Sequence, residues 1–195
     1  MFLKGFGEFI NESESNVTYR DLKLLVELGI SQDITSDVNR LIDQGKMNQE
    51  EILDWVTMIC DKYGIQNWSI NDEGRVDVDG DIDLVNFELT QLPLRFGKVT
   101  DDFWCQHNYL TTLNGSPSWV GGDFACSKNQ LTTLEGAPQS VGGDFYCHTN
   151  YLTTLEGGPE KVGGDFYCNA NRLTSLDGIG EVKGTVHSDN FEIIS

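Results

Sequence analysis

Through about the first 65 residues the apolar positions recur three and four apart, and beyond Asn67 they alternate with polar ones, so the chain passes from a helical to an extended period. TYRDLKLLVELG, residues 18–29, sets Leu22, Leu25 and Val26 on one stripe, with Thr18 as N-cap, Asp21 three residues on and Gly29 at the C-terminal cap. A second short helix is predicted from Thr35 to Gln44, with Val38, Leu41 and Ile42 inward and Gly45 closing it. In the third, Asn48 and Glu51 form a capping-box pair, Ile52, Val56, Ile59, Cys60 and Tyr63 follow at helical spacing, and Gly64 ends the run. Three amphipathic helices with short links predict a small bundle over residues 1–65. In WSINDEGRVDVDGDIDL the period falls to two: a strand, a turn at Asp72–Gly74, and a second strand where Val76, Val78, Ile82 and Leu84 alternate with aspartates.

The chain then repeats itself. GGDFACSKNQLTTLEGAP, residues 121–138, is followed by GGDFYCHTNYLTTLEGGP, residues 142–159, a period of 21. Phe103, Phe124, Phe145 and Phe166 form one column, and Cys105, Cys126, Cys147 and Cys168 the next. Asn108, Asn129, Asn150 and Asn171 follow three residues after each cysteine, then the leucines 110, 131, 152, 173 and 113, 134, 155, 176. Gly115, Gly136, Gly157 and Gly178 precede a turn, with proline at 117, 138 and 159. Residues 81–94 are a degenerate earlier copy, with Leu84, Leu89 and Leu92 in the cysteine and leucine places. After a one-residue deletion before Val182, SDNFEIIS echoes LVNFELTQ of that first copy, which gives six predicted turns with the outer two divergent. A unit this short cannot bury its apolar face alone; stacked in parallel at about 4.8 Å per turn, the units close a continuous core. The expected fold class is α+β: an N-terminal helical bundle capping one end of a short parallel β solenoid over residues 66–195, with NFEIIS finishing the other.

The spacing F-x-C-x-x-N-x-L, with a later leucine and a G-x-P turn, resembles the leucine-rich repeat in a short form, with Phe and Cys at the first two apolar places. The wording VGGDF-x-C and LTTLEG is similar to repeat proteins of large tailed bacteriophages of the T-even type. The resemblance covers residues 66–195. It implies a coil of leucine-rich-repeat type with a concave strand face, a recognition role rather than catalysis, and a partner in the bacterial host. That partner would be a nuclease, a nucleic-acid-modifying toxin or another defence component, which the phage protein would inhibit.

Composition narrows the partner. Lysine and arginine total 13 against 31 acidic residues, a net charge of −18 and a pI near 4.3. Such a field repels phosphate backbones, which argues against direct nucleic-acid binding and suits either plain solubility or a cationic protein partner. A rod of regularly spaced negative charge could also occupy a DNA-binding groove as a mimic. No stretch approaches the roughly 20 apolar residues of a membrane span, and MFLKGFGEFINESES turns acidic too soon for a signal peptide, so a cytoplasmic location is expected. Five cysteines, an odd set, predict reduced thiols.

Alternation sends the four repeat cysteines inward as small hydrophobes, and His148, next to Cys147, to the opposite face, so no metal or cofactor is predicted. The asparagine amides are expected to satisfy backbone groups where the chain leaves the strand. Outward go Asp102, Asp123, Asp144 and Asp165, then Trp104, Ala125, Tyr146 and Tyr167, then Gln106, Ser127, His148 and Asn169. Two readings of the aspartates stand side by side: caps on backbone amides after the Gly-Gly turn, or a carboxylate ridge that orients lysine- and arginine-rich partners, with Trp and Tyr as anchors. The candidate partner-binding residues are Asp102, Trp104, Asp123, Asp144, Tyr146, His148, Asp165 and Tyr167. Aromatic and carboxylate rows also suit sugars, and a structural virion component is a further class. DVDGDID, residues 77–83, lacks the residue order of an EF-hand loop, and a 21-residue period differs from that of calcium-binding nonapeptides. No catalytic motif or acid–base grouping surrounds His107, His148 or His187.

Overall fold

The computed structural model describes residues 18–27 and 35–189. The chain divides into two compact units, Met1–Met58 and Ile59–Ser195. The first contains α1 (Tyr19–Glu27), α2 (Thr35–Asp43) and most of α3 (Gln49–Tyr63). Their starts follow from the caps. Thr18 N–H donates to Asp21 Oδ2 at 2.9 Å, and Asn48 and Glu51 exchange two bonds of 3.0 Å. Gly45 and Gly64, at φ of 63° and 68°, close α2 and α3; Lys46 N–H then reaches Leu41 O and Ile65 N–H reaches Cys60 O. Leu22, Val38, Leu41, Trp55, Val56, Ile59 and Cys60 are buried. The side chains of Leu25 and Val26, the cap at Gly29 and the final NFEIIS lie outside the described residues. Lys23 Nζ and Tyr19 OH both donate to Asp54 Oδ2, at 2.7 and 2.8 Å, and Lys23 above all holds that carboxyl below its ordinary value.

The second unit is a β solenoid of about five turns with a 21-residue period, one fewer than the repeat count predicts. Its strands, in chain order, are β1 (Trp68–Ile70), β2 (Val76–Val78), β3 (Ile82–Asp83), β4 (Phe96–Val99), β5 (Phe103–Trp104), β6 (Trp119–Val120), β7 (Phe124–Ala125), β8 (Ser140–Val141), β9 (Phe145–Tyr146), β10 (Lys161–Val162), β11 (Phe166–Tyr167), β12 (Glu181–Val182) and β13 (Val186–His187). They form two sheets. The first runs β1-β2-β4-β6-β8-β10-β12, parallel except for the antiparallel pair β1–β2; the second runs β3-β5-β7-β9-β11-β13 and is parallel throughout. The predicted long strand from Val76 to Leu84 is therefore two strands in different sheets, because the chain bends at Gly80, with φ of 134°.

Each regular turn thus carries two short strands, where the sequence suggests one through Phe and Cys. The extra strand ends in Val120, Val141 or Val162, and the Gly-Gly pair after it makes the corner between the sheets. The corner is built of backbone in contact. A Cβ on Gly142 would fall 2.1 Å from Gly121 O, and one on Gly143 would fall 2.1 Å from Asp123 Oδ1. Inside, Phe103, Phe124, Phe145 and Phe166 stack with centroids 5.4, 5.4 and 5.0 Å apart. Every one is at most 1% exposed, as are the four repeat cysteines, so each ring contributes about 2–3 kcal/mol by burial.

The asparagine column does what the sequence suggests. Asn129 Nδ2 donates to Cys105 O and Cys126 O, both at 3.0 Å, while Oδ1 accepts Leu110 N–H at 2.9 Å; Asn108, Asn150 and Asn171 repeat the pattern. The residue before each asparagine, namely His107, Lys128, Thr149 or Ala170, has φ between 54° and 58°. The left-handed turn aims the amide inward.

Candidate functional site

The outer face of the second sheet gathers the residues that the sequence singles out. Asp102, Asp123, Asp144 and Asp165 each stand immediately before one of its strands; Trp104, Tyr146 and Tyr167 are the outward members of β5, β9 and β11, and His148 follows two residues after Tyr146. Strand pairing places successive members one rung apart.

The aspartates are caps first. Oδ1 of Asp102, Asp123 and Asp144 each accepts the N–H of the next aspartate at 2.7 Å, and Asp165 Oδ1 accepts Thr185 N–H at 2.8 Å. The glycine before each donor residue (Gly122, Gly143, Gly164 and Gly184) leaves room for the carboxylate of the preceding turn, which explains the motif GGD. The second oxygen meets the aromatic row: Tyr146 OH donates to Asp144 Oδ2 at 2.8 Å, and Tyr167 OH to Asp165 Oδ2 at 3.2 Å. Burial pushes the Asp123 carboxyl up; the Asp144 N–H pulls it down, and the charges of Asp102 and Asp144 push it further up. Asp165 moves the other way, held down by Thr185 N–H and then by its bond to His187. Burial and the neighbouring carboxylates raise both tyrosine hydroxyls. These phenols therefore remain neutral donors at physiological pH.

Three rings form a continuous stack. Tyr146 and Tyr167 lie 4.7 Å apart at 10°, and Tyr167 and His187 4.3 Å apart at 6°, with His187 Nε2 3.1 Å from Asp165 Oδ2. His187 belongs to the aromatic column because Phe166 pairs with Val186, twenty residues on rather than twenty-one. That one-residue deletion hides it from a fixed-period alignment. Trp104 stands outside the stack, two rungs from Tyr146, across Ala125. Ala125 and Ser127 are 6% and 5% exposed although the alternation turns them outward, so neighbouring side chains close over this rung. Gln106 Oε1 is enclosed without a hydrogen-bond partner among the described residues. His148 lies edge-on to Tyr146 at 6.5 Å, and burial, then Lys128 and His107, lower its pKa.

The five cysteines are free and buried. Desolvation pushes Cys60 to about 12 and Cys168 to about 11, and raises the other three thiols as well. Among the described residues no group of three or more His, Cys, Asp or Glu side chains could hold a metal ion, and no helix is long and apolar enough to cross a membrane.

Two outward columns escape the sequence reading. On the first sheet Lys98, Trp119, Ser140, Lys161 and Glu181 succeed one another, one per turn. Beyond the asparagines, Tyr109 and Tyr151 are 51% and 44% exposed, with the Arg172 guanidinium 4.5 Å from the Tyr151 ring centroid. Residue type varies down both columns, so only the register reveals them. No protein-family model, curated protein or solved structure matches the chain.

Proposed function

We propose that the chain is a non-catalytic protein-binding module whose second-sheet face engages a cationic protein surface. The observation that carries this reading is the pairing of two rows on one rigid face: carboxylates from Asp102 to Asp165, each with one oxygen already fixed, and the stacked rings of Tyr146, Tyr167 and His187 beside them. Fixed carboxylates steer and orient lysine- and arginine-rich partners, and preordered aromatic rings lose little entropy when covered. The net charge of −18 extends the attraction beyond contact range. Trp104 and His148 flank these rows and complete the contact set.

The coil is a short variant of the leucine-rich repeat in this reading, with the asparagine amides at the strand exits as its hallmark and the N-terminal helices as a small bundle. The likeness to tailed-phage repeat proteins directs the search for the partner to bacterial host proteins, nucleases and other defence components first, with inhibition as the outcome in the host cytoplasm. DNA mimicry stands second. One carboxylate per rung of about 4.8 Å is sparser than the roughly 1.7 Å per charge of duplex DNA, so the row complements a basic groove without matching the charge density of its usual occupant.

The test is co-purification from bacterial cells with mass spectrometry, repeated with Asp144→Asn and Tyr146→Ala. Asparagine keeps an oxygen for Asp165 N–H and removes the charge, while its amide nitrogen donates to the Tyr146 hydroxyl in place of the bond that Oδ2 accepts. The expected result is a basic partner bound at least tenfold more weakly by Tyr146→Ala, with affinity falling as salt rises. A partner indifferent to both substitutions, or no partner at all, would end this proposal.

A further inference from the structure

The outer face of the first sheet plays no part in the protein-binding reading. Trp119 and Ser140 stand on neighbouring rungs, about 4.8 Å apart, so an indole rises beside a side chain of one hydroxyl. A groove of about 440 Å³ opens at that step, lined by Lys98, Ser118, Trp119, Gln139 and Ser140. Its size falls in the range of small-ligand sites, roughly 300–1,000 Å³.

The indole is held rather than free. Its Cη2 lies back across Gly121, where a Cβ would stand only 2.9 Å away, so the absent side chain seats the ring across its own strand. Trp119 is 38% exposed; of the roughly 250 Å² of a tryptophan side chain this leaves about 90 Å², comparable to one ring face. Around it stand short polar groups. Ser118 Oγ donates to Gly97 O at 3.1 Å and keeps its lone pairs. The Ser140 hydroxyl, the Gln139 amide and the Lys98 ammonium make no hydrogen bond or ion pair with the described residues, and together they offer donors and acceptors on both sides of the ring.

A flat, seated indole edged by three neutral hydrogen-bonding side chains and one ammonium suits a ring that is apolar on its faces and polar on its rim. A phosphate-bearing ligand fits less well, since a single lysine lines the groove and the chain carries a net charge of −18. We infer that this groove binds the pyranose ring of a saccharide. The ring's axial C–H face stacks on Trp119, and its hydroxyls pair with Ser140, Gln139, Ser118 and Lys98. The site lies on a different sheet from the proposed protein contact and does not depend on it.

Saturation-transfer NMR on the full chain with the methyl pyranosides of glucose, galactose, mannose and N-acetylglucosamine tests this. The expected result is transfer to the ring C–H protons of at least one sugar with a millimolar Kd, as befits a single stacking contact. Binding should weaken at least tenfold in Trp119→Ala and also in Ser140→Phe, which leaves the indole in place but fills the groove. Tyr146→Ala should bind the sugar within twofold of the parent, which separates this site from the acidic face. Absence of transfer to all four sugars, or binding that survives both Trp119→Ala and Ser140→Phe, overturns the inference.

Discussion

Replacing Asn129 by alanine probes how the coil shares its hydrogen bonds. The side chain is 7% exposed and makes four bonds: Nδ2 to Cys105 O, to Cys126 O and, at 3.4 Å, to Ser127 O, and Oδ1 from Leu110 N–H. Alanine does not orphan all four partners, since Ser127 O also accepts His107 N–H at 3.2 Å. Cys105 O keeps Asn108 Nδ2 and Cys126 O keeps Asn150 Nδ2, each at 3.1 Å. Leu110 N–H has no such second asparagine. An orphaned buried N–H costs about 1–3 kcal/mol, and the two 3.0 Å bonds lost to carbonyls that remain partnered about 0.5–1.5 kcal/mol each, the 3.4 Å bond adding little, so Asn129→Ala should lose about 4 kcal/mol. Asn171 makes the matching bonds, to Cys147 O, Cys168 O and from Leu152 N–H, but is only half-buried, so water replaces part of what alanine removes. Its loss should be about half as large. Urea unfolding followed by far-UV circular dichroism, with midpoints compared across the parent and both variants, measures the difference. If Asn129→Ala stays within about 1 kcal/mol of the parent, or Asn171→Ala costs as much, the shared-ladder account fails.

Three further outcomes follow from the geometry. Gly142→Ala should cost more than about 3 kcal/mol or prevent folding, because its Cβ meets Gly121 O, whereas Gly45→Ala, strained only by its φ of 63°, should cost about 1 kcal/mol; urea midpoints for the pair decide it. Thr149→Gly should stabilise by about 0.5–1 kcal/mol, since a β-branched residue at φ of 58° carries about 1–2 kcal/mol of strain, and a lower midpoint would count against this. His148, lowered by burial, is accommodated neutral. Its contribution is complete above the unfolded value of 6.5 and is lost as pH falls through the lowered folded value, so His148→Gln should flatten the stability profile between about pH 7 and 5. Equal slopes in the two proteins would contradict the buried setting of that ring.

The period, the inward columns and the three helix starts were legible because each rests on residues whose chemistry recurs at fixed offsets: Phe and Cys on alternate strand positions, and Asn48 and Glu51 across a first turn. The second strand of each turn was not. Two residues such as Ser140–Val141 are too short to show alternation, and the glycines after them read as a loop rather than as backbone packed against backbone. The left-handed column was equally hidden, since His107, Lys128, Thr149 and Ala170 carry none of the usual glycine or asparagine signal; the amide that follows them dictates the turn. Of the two roles weighed for the aspartates, the structure shows the cap: one oxygen accepts an N–H of the next turn, and at Asp144 and Asp165 the other accepts a tyrosine hydroxyl. Trp119 escaped because the column that makes its groove runs from lysine to tryptophan to serine, with no recurring type.

The Gly-Gly corners fix how such a rod can change its length. Carbonyl oxygens there lie where side chains would otherwise begin, so a register slip of one residue at a corner would drive a Cβ into the neighbouring coil. Removal of a whole unit, such as residues 121–141, would instead join Val120 to Gly142 and re-create the same seam one step lower. The single-residue deletion that the chain does carry lies between Lys161 and Glu181, outside the Gly-Gly corners, and the strand pairing across it is kept. Growth and shrinkage by entire modules is the mode of variation these corners permit.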